Sequence, residues 1–376
     1  MSRVREEMRR RNIGVMFLTY GANLWYLAGV RRNYPQLTDE NAYGDYVCGA
    51  YIGVEDGIKL VAPRMGGSFF QAQVKDKPWI ANVRLIDENE NPRNVLREVI
   101  ESLDIRDQGV SLDDRSWTQT SLEFQNLRTT KRYSLASEII APMRMIKDEE
   151  EIATMQRAGA LTDSAFAETL NYLREGVTER DVESEVDRIL SKTNAEYPSF
   201  TSRVTFTKPG EGNPIGPRPT GRTLQRGHSV CFDFGICYEG YCSDFGRTAF
   251  IGEPPGQVRK IHDLIIEAQS RAIRAMVSGR ITAAQLDHIA RNVIVEGGYG
   301  ECFTHRLGHG IGVTVHEPPF LYPPDETTLV SNMTFTVEPS IRIPNSYACR
   351  VEDVVQVTEE GGRPFSNFSK ELTVIK

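Results

Sequence analysis

The stretch from Val230 to Thr248, VCFDFGICYEGYCSDFGRT, constrains this chain more than any other. Two aspartates, Asp233 and Asp244, lie eleven residues apart around a turn signal at Glu239-Gly240. Aromatic and Cys-rich runs flank that signal, which predicts a β-hairpin. With a two-residue turn at Glu239-Gly240, Tyr238 pairs with Tyr241, Cys237 with Cys242, Gly235 with Asp244, and Asp233 with Gly246. Side chains alternate faces along a strand, so Asp233, Gly235 and Cys237 share a face with Cys242, Asp244 and Gly246. The two carboxylates then become diagonal cross-strand neighbours within reach of a shared ion. Glu-Gly is a weaker hairpin signal than Asn-Gly, which leaves a longer turn open. The simpler reading puts both aspartates on a solvated face. Val230, Phe232, Phe234 and Phe245 oppose it, because a carboxylate pair in apolar company needs a counter-charge or a metal.

A chain of 376 residues predicts two domains. Apolar content of 40% and charged content of 25% suit a soluble globular enzyme. A net charge of −7 without a basic stripe argues against nucleic acid as a partner. The opening MSRVREEMRRRN leads into no long apolar run, so neither a signal peptide nor a membrane span is expected. The six cysteines, Cys48, Cys231, Cys237, Cys242, Cys302 and Cys349, lack C-x-x-C spacing and fit reduced thiols of a cytoplasmic protein. Cys237 and Cys242 would nevertheless face each other in the hairpin, which keeps a disulfide or a thiol beside a metal open.

The first 140 residues read as an α/β domain. Helices are expected at Val4 to Arg11 and Pro92 to Leu103. Strands are expected at Ile13 to Thr19, Asn82 to Asp87 and Gly109 to Leu112, with a turn at Gly21-Ala22-Asn23 and a hairpin from Tyr46 to Ala62. No His precedes position 228, and this half carries no catalytic constellation. Ser137 to Ile146, interrupted by Pro142, reads as the crossing into a second domain over 141–376. A long helix opens at the acidic run Asp148 to Glu151 and extends to about Leu173; a second begins after a Thr178 cap. Residues 198–222 are rich in Pro and Gly and read as loop. Helical periodicity returns at Gly256 to Val277 and Thr282 to Val295, so two strand–helix–helix–strand halves permit a pseudo-duplicated domain.

A second chemical stretch runs from Thr304 to Pro319, where His305, His309 and His316 fall within twelve residues. That density beside glycines is a site signal, and the pattern is not the helix-borne H-E-x-x-H. His309 sits between two glycines, which predicts an imidazole able to approach an ion without steric cover. Glu338 ends a β-rich run at Pro339. Glu352 shares a strand face with Arg350, opposite Val351, Asp353 and Val355. Alone, Glu352 reads as part of a surface Arg–Glu ladder. Together with Asp233, Asp244, His309 and Glu338, it joins a donor set that suits two divalent ions such as manganese, cobalt or zinc.

These motifs, D-F-G, S-D-F-G-R-T, H-R-L-G-H-G-I-G, H-E-P-P, T-V-E-P and R-V-E-D, resemble those of the creatinase/aminopeptidase metallohydrolases of the pita-bread fold. The resemblance covers the whole chain and lies on the Xaa-Pro dipeptidase (prolidase) and aminopeptidase P branch. It implies an α/β N-terminal domain and an α+β C-terminal domain with a pseudo-two-fold antiparallel sheet. It also implies Asp233, Asp244, His309, Glu338 and Glu352 as ligands of two metal ions, with Asp244 and Glu352 bridging. His316 and His305 match substrate-contacting histidines, and Arg350, matching an arginine beside the last ligand, is expected to bind substrate with them. The implied reaction is hydrolysis of an Xaa-Pro bond by a hydroxide shared between the metals, with Glu338 accepting the proton and His316 or His305 donating to the oxyanion. A homodimer is implied as well. One departure stands out. Relatives carry a further His in a loop resembling P-H-x-x-P, where residues 213–220 here read NPIGPRPT, with Gly216 in its place and Arg218 nearby. That departure gives a second reading: a hydrolase or lyase acting on a small non-peptide molecule such as an ectoine-type amidine. A third, a catalytically inactive binding protein, leaves five costly ligands unexplained.

Overall fold

The computed structural model describes residues 1–31, 43–103, 105, 107–128, 130–211 and 221–376. The loop at Gly216 and Arg218 lies outside them. Two compact units result, Met1–Arg144 and Met145–Lys376.

The first unit is a six-stranded mixed sheet in the order Ile80–Ile86, Ile58–Pro63, Gly49–Gly53, Ile13–Leu18, Gly109–Leu112, Tyr133–Leu135. Ile13–Leu18 is buried along its whole length, as expected of an apolar run at the centre of a sheet. It pairs antiparallel with Gly49–Gly53 and parallel with Gly109–Leu112. Two expectations need correction here. The turn predicted at Gly21-Ala22-Asn23 is the start of a helix, Ala22–Ala28, closed by Gly29 in the left-handed conformation. Ser137–Met145 is also one helix, which Pro142 does not interrupt, and it ends where the two units divide. Pro142 has no N–H for the Glu138 carbonyl, and the Arg11 guanidinium donates to that oxygen at 3.2 Å instead. The helices Gly67–Val74 and Thr118–Asn126 carry weak amphipathic signals and were not anticipated.

The second unit holds two similar halves. In the first, helices Glu149–Leu170 and Glu179–Leu190 each begin at a capping box, Asp148 with Glu151 and Thr178 with Asp181. They accompany a four-stranded sheet ordered Thr373–Ile375, Phe245–Ile251, Ser229–Phe234, Arg203–Thr207. In the second half, helices Gly256–Ala275 and Ala283–Glu296 accompany a five-stranded sheet ordered Glu317–Leu321, Gly308–Gly310, Thr334–Val337, Asp353–Val357, Gly362–Pro364. A bridge between Gly246 and Glu352 joins the two sheets, with Glu352 N–H donating to the Gly246 carbonyl at 2.8 Å. Among the described residues, no helix is long and apolar enough to cross a membrane.

The hairpin has the expected register. Tyr238 faces Tyr241, Cys237 faces Cys242, and Asp233 faces Gly246. It divides near Gly235. The strands Ser229–Phe234 and Phe245–Ile251 belong to the four-stranded sheet, while Ile236–Tyr238 and Tyr241–Cys242 join Tyr197–Pro198 in a small one. None of the six cysteines, Cys237 and Cys242 included, is joined in a disulfide. The turn is the two-residue kind, with φ of 46° at Glu239 and 81° at Gly240. Positive φ at both positions is the type I′ geometry, for which Asn-Gly is the favoured pair. Glu239 is exposed and pays a steric cost that Asn largely avoids. Glu239→Asn is therefore expected to stabilise the protein by roughly 0.5–1 kcal/mol, read as a higher urea midpoint at unchanged slope.

Candidate metal centre

Asp233, Asp244, His309, His316, Glu338, Arg350 and Glu352 fall on or beside strands of the second unit, while His305 lies three residues before one. Asp233 is the penultimate residue of Ser229–Phe234, and Asp244 immediately precedes Phe245–Ile251. His309 is the middle residue of Gly308–Gly310, Glu338 follows Thr334–Val337, and Glu352 precedes Asp353–Val357. The structure brings ligand atoms of Asp244, His309 and Glu352 within 4.8 Å of one another, all three residues being buried. Glu338 joins them, its Oε1 lying 3.3 Å from His309 Nε2. Asp233, Asp244, Glu338, Glu352 and His309 line one cavity of about 700 Å³ together with His305, His316 and Arg350.

The imidazole of His309 is aimed by its other nitrogen. Nδ1 donates to the Gly310 carbonyl at 3.1 Å, which leaves the Nε2 lone pair facing Asp244 at 3.6 Å and Glu338. Burial and the neighbouring His316 pull its pKa down to about 3, so the ring is neutral and available as a ligand. The two flanking glycines have a different task from the one anticipated. A side chain on Gly308 would collide with the Thr336 carbonyl, and one on Gly310 with the Glu317 carbonyl. They let the strand bearing His309 lie tightly between its neighbours, where the His309 N–H bonds Thr336 Oγ1 at 3.0 Å.

The carboxylates are far from their usual electrostatics. Burial, then the charges of Asp233 and Glu338, push the Asp244 carboxyl well above the ordinary range. Glu352 is raised likewise by burial and by Asp244. Burial raises Glu338, against the opposing pull of Arg350. Arg350 was expected to meet substrate, and its guanidinium lies among these acids. It bonds Asp233 through Nη1, Glu338 Oε2 through Nη2 at 3.1 Å, and Glu352 Oε2 through Nη1 at 3.2 Å. One guanidinium balances four carboxylates only in part. Asp244 Oδ1 is buried with no hydrogen-bond partner among the described residues. An orphaned carboxylate oxygen beside a neutral imidazole and further acids is the donor chemistry of a divalent cation with oxygen and nitrogen ligands, so the residues fit such an ion.

The two remaining histidines differ. His316 stands edge-on to His309, with ring centroids 4.0 Å apart. His305 Nδ1 donates to the Arg306 carbonyl at 2.7 Å, so its Nε2 accepts from Ser340 Oγ at 2.5 Å. Burial and Arg350 draw its pKa down to about 3, and the ring is neutral.

Sequence reasoning gave no role to Arg247 within S-D-F-G-R-T. Its side chain is 2% exposed and donates to the carbonyls of Gly246 and Glu352, to Asp353 Oδ1 at 2.7 Å, and to the carbonyl of Phe368. Burial alone would raise Asp353, but Arg247 and Lys370 hold it below the usual carboxylate range. Arg247 thereby pins the backbone that presents Glu352. The one available signal was a lone charge in the otherwise uncharged, mostly apolar run Phe245–Ile251. A second unforeseen pair, Lys147 Nζ with Glu317 Oε1 at 2.8 Å, is also buried.

Comparison with known proteins agrees with this arrangement. Residues 153–359 match the model of metallopeptidase family M24. An uncharacterized peptidase of Staphylococcus aureus (strain MW2) is 30% identical over 371 residues, spanning 98% of this chain and 99% of its own. A Xaa-Pro dipeptidase of Pyrococcus horikoshii is 36% identical over 250 residues, 66% of this chain and 70% of that protein. Among solved structures, prolidase from Thermococcus sibiricus superposes with a TM-score of 0.88 at 28% identity, covering 100% of this chain and 98% of that one. X-Pro aminopeptidase from Thermotoga maritima gives 0.82 at 26% identity, with 98% and 100% covered. The sheets, the strand-end acids and these whole-length matches lead to one conclusion: the chain belongs to metallopeptidase family M24 and is a hydrolase of the pita-bread fold.

Proposed function

We propose that the protein is a dinuclear metallopeptidase that hydrolyses Xaa-Pro bonds in small peptides. The observation that carries this reading is the convergence of Asp244, His309 and Glu352 within 4.8 Å, with Glu338 beside them, on the wall of a cavity large enough for a dipeptide. The names of similar proteins, a Xaa-Pro dipeptidase, a prolidase and an X-Pro aminopeptidase, supply the bond. Asp233, Asp244, His309, Glu338 and Glu352 would hold two divalent ions, manganese, cobalt or zinc. Bound there, such ions supply Lewis acidity toward the scissile carbonyl and a water acidified enough to attack at neutral pH.

The chain's own groups do the rest. Glu338 is placed to take the proton of the attacking water. Thr336 Oγ1 holds its Oε1 at 3.2 Å and Arg350 holds its Oε2, which fixes the carboxylate for that transfer. His316, on the cavity wall beside His309, is placed to donate to the developing oxyanion. His305, with both ring nitrogens engaged, acts by holding Ser340 and the Arg306 backbone in position.

Three outcomes are expected. Manganese- or cobalt-loaded protein should release product from Xaa-Pro dipeptides and Xaa-Pro-Xaa tripeptides and spare matched Xaa-Ala controls. The dipeptide-to-tripeptide ratio then names the subclass. Silence across the panel from protein holding two ions per chain would favour a small non-peptide amide or amidine as substrate. His309→Ala and Glu338→Ala should each cut kcat/KM by about a hundredfold or more, and His309→Ala should lower the metal content read by elemental analysis. Wild-type turnover in either variant would remove the residue from its role. The third outcome follows from the raised pKa values of Asp244, Glu338 and Glu352 in the metal-free fold. Between the ordinary carboxylate pKa near 4 and the raised folded-state values, the folded chain holds protons that the unfolded chain has released. Metal-free stability is therefore fullest below that ordinary value and falls as pH rises through the folded-state range. Cations displace those protons and bind more tightly as pH rises. A chelator should accordingly lower Tm by several degrees and by more at pH 8 than at pH 5; equal losses at both would contradict the coupling.

A further inference from the structure

One buried ion pair of the second unit lies outside the donor cluster. Lys147 Nζ meets Glu317 Oε1 at 2.8 Å, and the two residues are 3% and 4% exposed. Desolvating two charges costs about as much as their attraction returns, so such a pair adds little stability that apolar packing would not. Its use lies in where it stands. Glu317 directly follows His316 and opens Glu317–Leu321, the outermost strand of the five-stranded sheet. The pairing of that strand with Gly308–Gly310 shifts register between His309 and Gly310, so the ladder is irregular at the point where His316 leaves it. Neighbouring side chains of an extended chain point to opposite sides. His316 lines the cavity, its ring edge-on to His309, while Glu317 turns into the interior toward Lys147. Holding the Glu317 carboxylate therefore sets the direction of the imidazole one residue earlier.

The carboxylate is hemmed in further. Thr314 Oγ1 lies 3.3 Å from its Oε2 and 3.2 Å from the His316 carbonyl, and donates to one or the other. A Cβ on Gly312 would fall 2.7 Å from Glu317 Oε1 and 3.1 Å from Lys147 Cε, so the backbone there is pressed against the pair. The Gly312 carbonyl in turn accepts from the Cys242 N–H at 2.7 Å, two residues before Asp244. Lys147 is anchored as well. Its N–H donates to the Asn332 carbonyl at 3.0 Å, Ile146 bridges to Met333, and Asp148 caps the helix that follows.

We propose that Lys147 and Glu317 are positioning residues for His316: their ion pair sets the reach and orientation of its imidazole in the cavity without itself touching substrate. The proposal rests on the role given to His316 above and extends it to two residues 170 apart in sequence.

Removing one partner strands the other's charge in the interior, so Lys147→Met and Glu317→Gln alone are expected to melt lower. The two substitutions together remove both charges at similar volume, and this full-length double variant carries the test. Its Tm and its metal content by elemental analysis should stay near those of the parent. Loaded with manganese and given an Xaa-Pro dipeptide, it should lose about ten- to a hundredfold in kcat with KM within about threefold. The second readout needs no substrate. In zinc-loaded protein carrying ring-labelled histidine, the six imidazoles are followed by NMR, and the signal missing from His316→Gln is that of His316. In the double variant that signal should move or broaden while the other five hold. An unmoved His316 signal would overturn the proposal whatever the rate, as would a kcat loss that tracks lost metal. A disturbance shared by all six signals would make the pair merely structural and overturn it too. A moved His316 signal in protein whose parent ignores every Xaa-Pro peptide would retire the peptidase reading alone, and an unmoved one in an active peptidase would retire this proposal alone.

Discussion

Four carboxylates confined to one buried place govern this fold. Their mutual repulsion and desolvation oppose the folded state, and the architecture is arranged to contain them. Each enters from the end of a strand, where the backbone is already held by a sheet and only the side chain is left to position. Arg350 supplies partial neutralisation from within the cluster, and Arg247 supplies rigidity from behind it. The pair of sheets meets at Gly246 and Glu352, within the crowd of carboxylates. A structure that concentrates charge at its own seam requires a cation there to be at ease.

Neither half of the second unit contains a whole site. Asp233 and Asp244 belong to the first sheet's hairpin, while His309, Glu338 and Glu352 come from the second. A half folded alone would carry an acidic pair or an acid–imidazole cluster without the other. The chemistry therefore depends on the two halves closing against one another, and the duplication that makes the unit nearly symmetric does not make it redundant.

Much of this was legible because the relevant signals are local. The hairpin register follows from a period of two and a turn of two, and the three helix starts that carry capping boxes announce themselves within four residues. What escaped depends on residues distant in sequence. Pro142 looks like a helix breaker until Arg11 is seen satisfying the carbonyl it abandons. Arg247 looks like an outward-facing strand residue until Asp353, Glu352 and the Phe368 carbonyl surround it. The glycines around His309 suggested open access to an ion, whereas the carbonyls of Thr336 and Glu317 show that close packing requires them.

The hairpin keeps one register from the small sheet into the larger one, so its turn acts as a ruler for the catalytic half. Side chains alternate with each residue, and a single inserted or deleted residue between Asp233 and Asp244 would rotate one carboxylate to the opposite face while leaving the other in place. Surface turns usually absorb such length changes freely. This one does not, although Glu239 is exposed. Its length, more than its composition, is what the lineage is obliged to keep.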